Sequence, residues 1–166
     1  ADLDTSGVAL AALKEKLDPS LALFGDVILN PSFPPAELER LRKQRLARIQ
    51  QEKVRPISMA LRVFPKLLYG PGHAYSNPLT GSGTEETAKK MAVSDLTNFH
   101  QSWVKPNHST LVVVGDTTLG EIQPRLEKLF KDWKPGDVPK KDVRTVSLPE
   151  KPMVYLMDRP GALQSV

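Results

Sequence analysis

The stretch Phe33–Lys53, FPPAELERLRKQRLARIQQEK, sets the strongest constraint on what this chain can fold into. Two prolines open it, and neither glycine nor proline follows until Pro56. The spacing predicts one long helix, with Leu38, Leu41, Leu46 and Ile49 recurring on one side and charge on the others. Glu39 and Lys43 make a favourable i,i+4 pair on its outer face. At about 100° per residue, Arg45 falls inside the apolar stripe and Arg48 at its edge. A guanidinium in such a stripe needs a partner. Arg45 is therefore expected to pair with a carboxylate or with helix C-terminal carbonyls.

Composition narrows the alternatives. The 166 residues are 40% hydrophobic and 25% charged, an ordinary globular mix. Cysteine is absent, which excludes disulfides, thiolate catalysis and cysteine metal sites. No apolar run is long enough to span a bilayer. The net charge of +4 reads as a basic surface. No tract interleaves basic residues with exposed aromatics, so nucleic acid ranks last among partners. The chain starts at Ala1 without a methionine and ends on Gln164-Ser165-Val166, in what reads as the opening of a strand. A piece of a longer polypeptide is expected.

Along the chain, Thr5–Leu13 reads as a short buried strand, although its alanines equally allow helix. Asp18-Pro19 opens a helix that runs to Leu29, and Asn30-Pro31 ends it. After Pro56, a helix over 57–69 would turn Leu61, Phe64, Leu67 and Leu68 inward, with a kink at Pro65. Gly70–Gly83 is a turn-rich loop whose bulky polar side chains are His73 and Tyr75. Thr84 caps a short helix to Met91, and Ser94 caps the next, with Leu96, Phe99 and Trp103 as its stripe. Ser109–Gly115 is the clearest strand. Thr118 with Glu121 is a capping box for a helix through Asp132, its first turn distorted by Pro124. Met153–Met157 is another strand, and 162–166 begins a further one.

This order predicts an α+β fold, with helices packed on one face of a mainly antiparallel sheet. Residues 1–133 would form the main unit and 134–150 a linker. Residues 151–166 would start a following unit or a returning strand.

The chemistry visible in the residues is sparse. His73, His100 and His108 never pair at metal-ligand spacing. Gly81-Ser82-Gly83 lacks the lysine and preceding strand of a phosphate loop. Arg159 near Gln164 could hold a carbonyl or carboxylate, against a turn salt bridge as the simpler reading. From these residues alone, the domain has no self-contained active site.

Several stretches together resemble the insulinase/pitrilysin-type zinc metallopeptidase family. They are Leu17–Phe33 with the helix after it, Tyr69–Gly83, Val93–Gly115, Leu119–Trp133 and Pro160–Val166. The resemblance implies an incomplete ferredoxin-type unit of a two-halved clamshell that closes around a peptide. In the family, one half binds zinc through an inverted His-x-x-Glu-His motif and a glutamate from a later helix. That later helix corresponds to residues 35–53. The family's ligand glutamate falls at Arg48, and a supporting glutamate at Leu41. Arginine cannot ligate zinc, and leucine offers no supporting carboxylate. A shift of four would bring Glu52 to the ligand position but would move the leucine pattern off its match.

The resemblance therefore implies a fragment of the non-catalytic half, inactive by itself and without zinc of its own. Zinc would sit in the full-length protein or partner half, making the whole a zinc metalloendopeptidase. The implied partners are the zinc-bearing half, on the same polypeptide or a partner subunit, and a peptide substrate. Unpaired strand edges would favour a homodimer. His73, Tyr75, Arg159 and Gln164 are the candidate substrate or interface contacts. The alternative is a structural or interaction protein of the same fold with no proteolytic role. The sequence does not fix the compartment; a bacterial envelope location fits many relatives by analogy alone.

Overall fold

The structure, a computed structural model, describes residues 4–147, 150–158 and 160–161. Its helices are α1 (Leu17–Leu29), α2 (Pro35–Val54), α3 (Pro56–Tyr69), α4 (Glu85–Lys90), α5 (Val93–Trp103) and α6 (Leu119–Phe130). Short 3-10 turns lie at Lys14–Lys16, Ala74–Ser76 and Pro106–His108.

No strand occurs among the described residues, and this overturns the α+β expectation. The stretches 5–13, 109–115 and 153–157 carry no regular structure, while 162–166 lies outside the described residues. Apolar and β-branched side chains favour a pleated surface, but a strand exists only through a ladder with a neighbour. Val114 is 92% exposed and Val154 is 96% exposed. These segments have the composition of strands without the pairing.

The chain divides into two compact units. The first joins Leu3–Pro35 to Ala92–Lys140 and holds α1, α5 and α6. Leu21, Phe24 and Gly25 of α1 are buried, as is Ile122 of α6. The Phe24 ring meets Phe130 edge-on, with centroids 6.5 Å apart, and Phe130 leans on Trp133 at 5.5 Å. Gly25 lets the two helices close: a Cβ there would lie 2.6 Å from Leu129 Cδ1. Helix α1 starts at Leu17, one residue before the expected cap, and Asp18 instead pairs with Arg125 of α6. The cap of α5 is also displaced. Asp95 accepts the Ala92 N–H at 2.8 Å, so the helix begins before Ser94.

The second unit joins Ala36–Met91 to Lys141–Val166 and holds α2, α3 and α4. Helix α3 runs unbroken through Pro65, which is buried. Proline has no N–H to offer the carbonyl four residues back. That carbonyl, on Leu61, is taken by the Leu79 N–H at 3.0 Å. Pro65 thus frees an acceptor that ties the 70–83 loop to the helix. The expected inward face of α3 is corrected: Phe64 is 53% exposed, Leu61 and Leu67 are exposed, and Arg62 and Pro65 turn inward.

Candidate functional site

Helix α2 does not bury the stripe its leucines predict. Ile49 is fully buried, but Leu41 is 51% exposed. The covered face is centred on Ile49, with Arg42 about 20° and Glu52 about 60° to either side. This is a polar face, satisfied by hydrogen bonds to the 80–91 segment and to Arg62 of α3.

Glu52 is only 6% exposed. Its Oε2 accepts from Arg62 Nη1 at 2.7 Å and from Ser82 Oγ at 2.5 Å. Its Oε1 accepts from Arg48 Nε at 3.0 Å. Arg62 also donates to Ser82 Oγ at 2.6 Å and to the Gly83 carbonyl at 3.0 Å. Burial pushes the Glu52 carboxyl upward. Hydrogen bonds from Ser82, Arg62, Thr80 and Arg48 outweigh it and hold the group at about 2.

The arginines of α2 hold the same segment by its carbonyls. Arg42 donates to Ala88 O, to Lys89 O at 2.9 Å and to Met91 O at 2.6 Å, closing the C-terminus of α4. Arg45 donates to Gly81 O at 2.9 Å, and Arg48 to Thr80 O at 3.3 Å. Gly81 and Gly83, both at φ 70°, shape the turn that presents these oxygens. Arg45 therefore has a carbonyl partner, in a loop rather than at a helix end. Arg42, three residues earlier, fills the helix-capping role expected of Arg45.

His73 is buried. Its Nδ1 accepts the Tyr75 N–H at 3.0 Å, and its Nε2 donates to the Arg144 carbonyl at 2.9 Å. This is a neutral imidazole with both nitrogens engaged. Tyr69 stacks on it at 5.0 Å, and the half-buried Tyr75 ring lies 5.8 Å away. The structure thus brings His73 and Tyr75 together. Arg159 and Gln164 lie outside the described residues.

The resemblance puts a zinc-ligand position at residue 48. Arginine at position 48 has no lone pair, and both Glu52 oxygens are engaged. Among the described residues, no three His, Asp or Glu side chains gather as metal ligands. The sequence reading missed Ser82, Arg62 and Arg42. A signal was present: Arg45, Ile49 and Glu52 share one face of α2, and Arg48 precedes Glu52 by one turn.

Residues 90–163 match the family model of the Peptidase M16 inactive domain. The resemblance to the insulinase (M16) family is thereby shown over somewhat under half of the chain, including α5 and α6. Helix α2 and the 69–83 loop precede the matched stretch. The matched model describes the inactive, non-catalytic domain of that peptidase family. M16 inactive domains pair with a catalytic half. No curated protein matches the chain. No described helix is long and apolar enough to cross a membrane.

Proposed function

We propose that the chain forms part of the substrate chamber of an M16-type zinc peptidase, as a half that binds peptide and carries no zinc. Zinc and hydrolysis are supplied by the zinc-bearing half, on the same polypeptide or on a partner subunit. The observation that carries this reading is the match of residues 90–163 to the M16 inactive domain. The engagement of Glu52 by Arg48, Arg62 and Ser82 supports it, because zinc would have to displace those donors from a buried carboxylate. Tyr75 is the loop's candidate for peptide contact, with His73 holding its backbone and ring in place.

Dialysis against zinc, followed by metal analysis, tests the proposal. The chain should retain far less than one equivalent. One equivalent of zinc per chain, lost in Glu52→Gln, would overturn it.

A further inference from the structure

The first unit contains an open groove of about 460 Å³, between the C-terminal ends of α1 and α5 and the turn after α6. Phe33, His100 and Trp133 line it, and Lys105 and Lys134 are its charged residues; none of the lining residues is acidic. Phe33 is the one non-glycine residue with positive φ among the described residues, at 41°. A bulky side chain in that region costs energy and persists only where its surroundings fix it. Its ring stands edge-on to His100 at 6.0 Å.

Lys105 is held in place. Its stem lies over Gly136, and Asn107 clamps that peptide from both sides, accepting the Gly136 N–H and donating to its carbonyl, each at 3.1 Å. Among the described residues, no ion pair engages Lys105 or Lys134.

The sign of the groove decides its ligand. The carbonyl ends of α1 and α5 bring about half a negative charge each. His100 Nε2–H covers Ile28 O at 2.7 Å, and Trp133 Nε1–H covers Val104 O at 3.3 Å. Two ammonium charges against two half charges leave about +1.

We propose that this groove binds an extended peptide that places a carboxylate side chain between Lys105 and Lys134, and an apolar neighbour on Phe33 and Trp133. The choice of a peptide over a small organic acid rests on the chamber reading above. The groove's charge and shape do not.

The test uses the full chain, labelled with nitrogen-15, and three probes. These are acetyl-Ala-Leu-Glu-Asp-Ala-amide, its neutral Gln-Asn counterpart, and inorganic phosphate. The acidic peptide should shift the Phe33 and Lys105 amides and the Trp133 indole N–H. The neutral peptide should bind about fivefold more weakly, and Lys105→Gln with Lys134→Gln should weaken the acidic peptide about tenfold. Equal affinity for the two peptides, or no effect of the paired substitution, would overturn the charge assignment. Phosphate binding as tightly as the peptide would overturn the peptide assignment. No peptidase is present, so a failure of the zinc experiment leaves this result readable.

Discussion

The two units are held together by different chemistry. In the first, α1 meets α6 mainly carbon against carbon, with Phe24 on Phe130, Gly25 under Leu129 and Ile122 in the core, beside one exposed ion pair, Asp18–Arg125. In the second, α2 meets the 80–91 segment through guanidinium groups on carbonyl oxygens and a buried carboxylate. Apolar contact is tolerant of small changes in shape and indifferent to pH. A buried carboxylate with its donors behaves otherwise. Removing one partner leaves another charged and desolvated, so loss is costly and sensitive to protonation. The first unit should bend under mutation, and the second should break.

The largest effect is expected at Glu52. Glu52→Ala strands the mostly buried Arg62 and should cost roughly 3–5 kcal/mol in urea unfolding. Replacing the pair together, Glu52→Met with Arg62→Leu, should recover most of that loss, because the desolvation of both charges disappears as well. A cost below about 1 kcal/mol for the single change would erase the contrast between the units.

Acid is the next lever. The Glu52 carboxyl lies at about 2, below its ordinary 4.5. Its contribution is therefore complete above 4.5 and lost as pH falls from there toward 2, about 3 kcal/mol in all. Glu85, lowered by its hydrogen bond from Lys53, acts in the same direction. Amide exchange should show α3 and the 80–83 turn opening over that interval while α1 and α6 stay protected. Loss of protection in both units together would contradict the comparison.

The smallest effects separate two arginines of one helix. Arg42 closes three carbonyls with a side chain only 15% exposed, so Arg42→Ala should cost about 2 kcal/mol and fray α4. Arg45 makes one bond from an exposed position, so Arg45→Ala should cost at most about 0.5 kcal/mol. Thermal unfolding of the two variants ranks them directly.

What could be read in the sequence follows the range of the interactions. Local signals held. Pro35 and Pro56 bracket α2 and α3, and Thr84 caps α4 through the Thr87 N–H at 3.1 Å. Glu121 accepts the Thr118 N–H ahead of α6. Non-local pairing did not show. Nothing within Ser109–Gly115 says whether a neighbour will form a ladder with it, and among the described residues none does. The inward face of α3 was misread because Leu61, Phe64 and Leu67 set the apolar side, while Arg62 and Pro65 face the bonded loop. At the site, Arg48 was read through a family position. Its structural role is a local i,i+4 pair with Glu52, whose further partners Arg62 and Ser82 lie 10 and 30 residues on. Spacing alone does not bring those together.

The proposed function requires that Glu52 stay committed to its arginine and serine donors when zinc is offered. Carbon-13 NMR of its side-chain carboxyl, titrated with and without added zinc, measures this directly. The resonance should titrate near 2 and ignore zinc. A midpoint near the ordinary 4.5, or a shift on adding one equivalent of zinc, would contradict it.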